Sequence, residues 1–117
     1  MRKLSKWMIA ALALAVPLSA SANDAVKKLT ENPNYWAYPG GNYWNWRYTA
    51  LDQINNKNAK QIVTAWTFST GRLQGHEGGP LVLPGSATGL ASDHLFIHSS
   101  FPNDVFAINL EDLTITW

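Results

Sequence analysis

Glu77 is the residue whose surroundings point most directly to ligand chemistry. It lies in the run Gly75-His76-Glu77-Gly78-Gly79. Glycine has no Cβ, so such a backbone can approach a ligand closely and adopt positive φ. A carboxylate held there can accept hydrogen bonds from a bound molecule. Exposed loop carboxylates are common, however, and a solvated acidic side chain is the alternative that the residues alone favour.

Two histidines near Glu77 raise the question of a metal site. His76, His98 and Glu77 are ligand types that zinc accepts, but their spacing matches no familiar zinc pattern. His98 alternates with apolar residues, so we expect a partly buried, hydrogen-bonded side chain rather than a metal ligand. Arg47 and Arg72 could bind anions, but single loop arginines are usually solvated, and neither receives a role.

A dense aromatic cluster is the second candidate for binding. Its members are Tyr35, Trp36, Tyr38, Tyr43, Trp44, Trp46 and Tyr48. Flat aromatic faces can stack on sugar rings, so a small secreted carbohydrate-binding module is one interpretation. The other is that these amphipathic side chains seal the start of the chain against a larger fold.

Composition excludes several classes of protein. The chain has 117 residues, of which 46% are hydrophobic and 15% charged, which is typical of a chain that folds around a core. It has no cysteine, so disulfides, thiolate metal sites and a cysteine nucleophile are excluded for this stretch. A net charge of +1 argues against a nucleic-acid-binding protein.

The first 22 residues have the order of features found in an export signal. Three basic residues, Arg2, Lys3 and Lys6, precede an apolar run over residues 7–16 and the small-x-small triplet Ala20-Ser21-Ala22. This apolar run is shorter than the about 20 residues that a membrane-spanning helix needs. We predict a secretory signal peptide cleaved before Asn23 and a periplasmic mature chain with no membrane span. That chain carries six basic and eight acidic residues.

The mature sequence reads as mainly β-structure. We predict a brief helix over residues 25–30, ended by Pro33, and another over residues 57–62, capped by Asn55 or Asn56. Residues 71–79 and 84–92 are rich in small residues and are predicted to be loops. The predicted strands are residues 63–70, 81–83, 94–99, 105–110 and 113–117.

The last four predicted strands would form one antiparallel unit of the size of a propeller blade. One blade leaves apolar surface that neighbouring blades must cover. The sequence also stops at Trp117, within a predicted strand. We therefore expect the chain to be a piece of a longer protein, with a complete small secreted domain as the alternative.

Several short sequence motifs, in this order along the chain, resemble those of one protein family. They are Asn23-Asp24, Trp36-Ala37-Tyr38-Pro39-Gly40, Leu51-Asp52-Gln53-Ile54-Asn55, Ala65-Trp66-Thr67-Phe68-Ser69-Thr70-Gly71, Gly75-His76-Glu77-Gly78 and Phe101-Pro102-Asn103. Together they resemble the N-terminal part of pyrroloquinoline quinone (PQQ)-dependent alcohol dehydrogenases of the methanol/ethanol class, across nearly all of residues 23–117. Each motif alone is weak, but their order and spacing make the set specific.

The resemblance implies a fold and a role for Glu77. The family forms an all-β, eight-bladed propeller with PQQ near its axis beside Ca²⁺ or a lanthanide ion. Residues 23–117 would supply the start of this propeller, about one blade and an entering strand. Glu77 matches the family's cofactor-contacting glutamate, and would bind PQQ through a hydrogen bond, with a shared proton or a nearby arginine if it meets a carboxylate.

The family's blades carry a tryptophan-docking repeat, roughly Ala-x-Asp-x-x-Thr-Gly-x-x-x-Trp. Ala107 and Trp117 match it at the right separation, whereas Asn109 replaces the aspartate. Asp112 and Leu113 occupy the Thr-Gly positions. The tryptophan of the repeat is kept as Trp117, but the residues that form its hydrogen bonds are replaced. The geometry of the local turn is therefore in question. Residues 87–93 look longer than the family's usual link at this point and have no assigned role.

The resemblance also implies what the whole enzyme would do. It would oxidise methanol or another primary alcohol to the aldehyde and pass electrons singly to a periplasmic cytochrome c. The family's catalytic aspartate, metal ligands, adjacent-cysteine disulfide and cofactor-stacking tryptophan have no match here, so these residues alone should be inactive. The choice of metal, the preferred alcohol, and a small subunit or homodimer stay open.

Overall fold

A computed structural model describes residues 23–117. The predicted signal peptide, residues 1–22, lies outside the described residues. Within the described part of the chain, no helix is long and apolar enough to cross a membrane.

The described part of the chain begins with a short, well-capped helix. Helix α1 spans Asp24–Thr30, and the Asn23 side chain accepts hydrogen bonds from the Ala25 and Val26 backbone N–H groups at 3.0 and 3.3 Å. An asparagine in this position satisfies backbone donors that the first helical turn leaves free. The helix predicted over residues 25–30 is therefore confirmed.

A three-stranded antiparallel sheet forms the centre of the structure. Its strands are β1 (Leu81–Leu83), β2 (His94–His98) and β3 (Val105–Asn109), in the spatial order β1-β2-β3. In the register of the sheet, Phe96 pairs with Leu81 of β1 on one side and with Ala107 of β3 on the other. These three predicted strands are confirmed to within one residue.

Both edges of the sheet are extended by single β-bridges. Trp36 exchanges two backbone hydrogen bonds with Val82, at 3.0 and 3.1 Å, beside β1. On the other edge Ile115 bridges to Ile108 of β3. The predicted fourth strand, residues 113–117, thus lies beside β3 as expected, but pairs through a bridge rather than a continuous ladder.

Two sequence predictions of regular structure are wrong. Residues 63–70 form no strand, although they are β-branched and aromatic, because a strand needs a neighbour's backbone groups and these residues have no ladder partner in the described structure. Val63 is 82% exposed. Residues 57–62 form only a 3₁₀ turn, Ala59–Gln61, after Asn55, whose side chain accepts from the Lys57 N–H at 3.0 Å.

The segment predicted as a loop over residues 84–92 contains a helical turn. Helix α2 spans Gly85–Thr88 and ends at Gly89, which has a φ of 77°. The Asp93 side chain accepts from the Gly85 N–H at 3.2 Å. Gly85 is buried, and a Cβ there would lie 2.6 Å from the Leu90 carbonyl oxygen. Residues 87–93 therefore complete a compact turn that leads from β1 into β2.

The core of the described residues is small. Ala107 and Ile108 on β3 are fully buried, and Ala37 is 8% exposed. Many large apolar side chains remain exposed, including Leu73, Trp44 and Ile115. This pattern is typical of a repeat unit whose faces pack against further units.

Candidate functional site

Glu77 lies on an exposed loop that connects the extended segment to β1. Its side chain is exposed and makes no hydrogen bond to any of residues 23–117. The predicted loop over residues 71–79 is confirmed. A carboxylate without an internal partner is free to accept a hydrogen bond from a ligand.

The first half of this loop is fastened to the turn between β2 and β3. Arg72 forms an ion pair with Asp104, in which Nε donates to Oδ2 at 2.9 Å. The Ser100 hydroxyl donates to the Gln74 carbonyl oxygen at 3.4 Å. Arg72 is thus engaged by a carboxylate of the turn, rather than being the solvated side chain expected from the sequence.

The second half of the loop packs on the His98 imidazole. The His76 and His98 rings stack with centroids 5.6 Å apart and an interplanar angle of 24°. Gly78 lies so close to the same ring that a Cβ there would be 1.8 Å from His98 Nε2. The two residues that flank Glu77 therefore contact one side chain at the end of β2.

The glycines around Glu77 act through close approach and not through unusual backbone angles. Glycine permits positive φ at Gly75, Gly78 and Gly79, but in the described loop only Gly71 is left-handed, with a φ of 71°. A Cβ at Gly75 or Gly79 would meet no atom of the described structure within 4 Å. Gly78 is the position at which the absence of a side chain matters.

No metal centre is formed around these histidines. Within residues 23–117 no three histidine, cysteine, aspartate or glutamate side chains are grouped as metal ligands. His98 is predicted to be partly buried and hydrogen-bonded: the burial is wrong, because the residue is exposed at the end of β2, whereas the hydrogen bond is present. Its Nδ1 lies 3.1 Å from the Ser99 carbonyl oxygen.

The buried histidine is His94, which the sequence did not single out. It is 2% exposed. Its Nδ1 lies 2.7 Å from the Ser92 carbonyl oxygen, and its Nε2 lies 2.7 Å from the Thr116 hydroxyl. A carbonyl can only accept, so Nδ1 carries the proton. His94 therefore links β2 to the segment that ends at Trp117.

The segment that matches the docking repeat forms a turn with its altered residues. Ala107 is fully buried and pairs with the Trp117 carbonyl at 2.9 Å. The Asn109 carbonyl accepts from the Leu113 N–H at 2.9 Å, and Leu113 has a φ of 62°, so leucine adopts here the left-handed angle that glycine favours. The Trp117 ring lies 6.0 Å from Phe96 and is 57% exposed.

Asp112 supports this turn in the place of the family's threonine. Its Oδ1 accepts hydrogen bonds from the Thr114 backbone N–H at 3.0 Å and from the Thr114 hydroxyl at 2.7 Å. These bonds favour the charged carboxylate and hold the pKa of Asp112 below its ordinary value.

The aromatic cluster opens on a groove beside α1. The groove has a volume of about 480 Å³ and is lined by Lys27, Thr30, Glu31, Asn42, Tyr43, Trp44 and Trp46. Trp44 and Trp46 are 75% and 68% exposed. The Asn42 side chain accepts from both of their backbone N–H groups, at 3.0 and 3.4 Å, and so shapes the turn.

Comparison with known proteins places the chain in a family. Residues 36–117 match the family described as PQQ: glucose/ethanol/alcohol dehydrogenase, beta-propeller domain. Methanol dehydrogenase (cytochrome c) subunit 1 of Methylorubrum extorquens is 44% identical over 111 residues, which are 94% of this chain and 16% of that protein. The lanthanide-dependent methanol dehydrogenase of Methylacidiphilum fumariolicum is 44% identical over 104 residues, 88% of this chain and 16% of that protein.

A solved structure supports the same placement. A europium-containing methanol dehydrogenase matches 81% of this chain and 16% of its own, with a TM-score of 0.71 and 42% identity. The chain thus spans about one sixth of the length of these relatives. The resemblance seen in the sequence is confirmed, the carbohydrate-binding alternative is not favoured, and the β1–β3 sheet corresponds to part of a propeller. The chain belongs to the PQQ-dependent alcohol dehydrogenase family, of whose β-propeller it forms an N-terminal portion.

Proposed function

We propose that this chain contributes to a quinoprotein that oxidises methanol or another primary alcohol to the aldehyde and passes electrons to cytochrome c. The identity of more than 40% to proteins named methanol dehydrogenase supports the substrate, and one relative's name includes cytochrome c. Residues 1–22 would be a signal peptide that directs the protein to the periplasm. Residues 23–117 would be the start of the propeller.

Within this enzyme Glu77 would be the contact that the chain makes with PQQ. The observation that carries this proposal is its exposed carboxylate, which has no partner in residues 23–117, on a loop fastened to the β2–β3 turn. The residues present therefore fit the cofactor.

The charges define how Glu77 would bind. PQQ carries carboxylates, and two carboxylates at contact distance cannot both stay ionised. Arg72 is occupied by Asp104 and is not available to neutralise the pair. Glu77 would therefore either share a proton with a cofactor carboxylate, which makes it a donor as well as an acceptor, or be neutralised by an arginine from outside residues 23–117.

The cofactor, the metal ion and the residues of this chain would have different roles in the reaction. When bound, PQQ supplies the oxidant that accepts hydride from the alcohol, and Ca²⁺ or a lanthanide ion supplies Lewis acidity. The residues of this chain orient the cofactor: Glu77 holds one edge, and the fastened loop keeps Glu77 in place. The described residues hold no group of three metal ligands, so we propose that the ion is bound by residues other than 23–117.

The test is a PQQ titration of cofactor-free protein expressed from its complete reading frame. A hydrogen bond to a charged group contributes about 1.5–3 kcal/mol, so we expect Glu77→Ala to weaken Kd about 10- to 150-fold. Glu77→Gln keeps a donor and should weaken it less. Glu111→Gln, at an exposed glutamate in the β3 turn, is the matched control. A Kd for Glu77→Ala within two-fold of the wild type would refute the contact.

Localisation has a separate test. N-terminal sequencing of the protein purified from the periplasm should begin at Asn23. Recovery of the protein only from the cytoplasm, or with residues 1–22 intact, would refute the proposed signal peptide.

A further inference from the structure

His98 contacts both neighbours of Glu77. The His76 ring stacks on it at 5.6 Å, and Gly78 packs against its Nε2. Glu77 is therefore bracketed, one residue before and one residue after, by contacts with a single imidazole.

The imidazole is itself well placed to act as a fixed support. His98 is the last residue of β2 and faces Val105 of β3, so its backbone is held by the sheet. Beyond it the turn is fastened through Ser99, which is fully buried and whose hydroxyl accepts from the Asp104 N–H at 3.0 Å and donates to the Ser100 carbonyl at 2.7 Å. The backbone that carries the ring is therefore held in place, although the ring itself is exposed.

The other ties between the loop and the sheet lie further from Glu77. The Arg72–Asp104 ion pair and the Gln74–Ser100 hydrogen bond hold the first half of the loop. These ties end at Gln74, three residues before Glu77. The residues that follow Gln74 in the loop are therefore positioned by the contacts with His98. An exposed imidazole at this point adds little to a core, so its contacts with the loop are its main structural consequence.

We propose that His98 is a positioning residue, which sets the place of the Glu77 carboxylate at the cofactor through His76 and Gly78. This inference rests on the proposed role of Glu77 in binding PQQ. His98 itself touches neither cofactor nor substrate in this account. Its imidazole is a support for the loop, in place of the metal ligand that its type first suggests.

A double-mutant cycle tests the proposal. PQQ affinity is measured by titration of cofactor-free protein, expressed from its complete reading frame, for the wild type, His98→Ala, Glu77→Ala and the double variant. The loss of one aromatic pair predicts a Kd about 2- to 12-fold weaker for His98→Ala. In the Glu77→Ala background the same change should alter Kd by less than two-fold, because its effect is transmitted through Glu77.

Two further variants separate positioning from stability. His98→Gln keeps a planar polar group near the position of Nε2 and should recover most of the affinity. If His98→Ala does not fold, His98→Leu, which lacks the ring but keeps an apolar side chain, takes its place in the cycle. His94→Ala removes the link between the opposite end of β2 and Thr116, and it should lower Tm with little change in Kd.

The outcomes distinguish failure of the positioning role from failure of the Glu77 contact. Equal losses from His98→Ala in both backgrounds, or an unchanged Kd in the Glu77 wild-type background, would overturn the positioning role while leaving the Glu77 contact intact. An unchanged Kd for Glu77→Ala alone would overturn the cofactor contact, and the positioning role with it.

Discussion

Replacing Gly78 by alanine would place a methyl group within the space of the His98 ring. The added Cβ would lie 1.8 Å from Nε2 and 2.3 Å from Cε1. Ordinary contacts between such atoms are about 3.5–4.0 Å, so either the loop or the ring must move by more than 1 Å. The ring is exposed, so we expect it to swing away and lose its stacking on His76.

The size of the effect follows from what is lost. An aromatic pair contributes about 0.5–1.5 kcal/mol, and overpacking costs about 1–3 kcal/mol where nothing can yield. Because the ring can yield, we expect about 1 kcal/mol, which is about five-fold in the Kd for PQQ. A loop freed from His98 should also be cleaved faster in limited proteolysis near residues 75–79.

The same loop supplies its own controls. Gly75→Ala and Gly79→Ala add the same methyl group where no described atom lies within 4 Å, so both should bind PQQ as the wild type does. In a His98→Ala background, Gly78→Ala should cause almost no additional loss. Equal losses for all three glycine variants, or a full loss for Gly78→Ala without His98, would refute the reasoning.

Three further substitutions test the surrounding structure. Arg47 has a φ of 53°, a conformation that costs about 1–2 kcal/mol for a non-glycine residue. Glycine removes this cost but adds an entropy cost of about 0.4–1 kcal/mol, so Arg47→Gly should raise the free energy of unfolding by about 0.5–1 kcal/mol. An unchanged or lower Tm would contradict this. Hydrogen bonds from Thr114 lower the pKa of Asp112, so its stabilising effect is present above the unfolded-state pKa of about 3.9 and is lost as pH falls through the folded value. Asp112→Asn should therefore show a shallower fall of Tm in acid than the wild type, and a parallel fall would count against it. His94→Ala leaves the Thr116 hydroxyl without its partner beside a cavity and should cost about 2–4 kcal/mol in thermal unfolding, whereas a cost below about 0.5 kcal/mol would contradict the link.

Local signals in the sequence predicted the local structure well. Pro33 was recognised as the residue that stops helix α1, and short apolar runs between turn residues located all three strands of the sheet. Residues 63–70 carry an equally strong strand signal but form no strand, because pairing depends on a neighbour that lies outside any local window.

The sequence predicted the residue of the candidate site, Glu77, but not the contacts that hold its loop in place. Glu77 was recognised through the Gly-His-Glu-Gly run and the family it resembles. Its contacts depend on the β2–β3 turn coming back to the loop, and no spacing in the sequence reveals that His98 reaches Gly78. The alternation of side chains along β2 also does not distinguish the buried His94 from the exposed His98, because residues four apart lie on the same face of a strand. His94 contacts the Thr116 segment beside β3, and His98 has no contact of this kind within residues 23–117.

The most direct test of the central claim is an experimental structure of the PQQ-loaded protein, expressed from its complete reading frame. This account predicts a Glu77 carboxylate oxygen at hydrogen-bond distance from the cofactor, about 2.5–3.2 Å, with the His98 ring still stacked on His76 and packed against Gly78. A cofactor bound elsewhere while Glu77 faces solvent would contradict it.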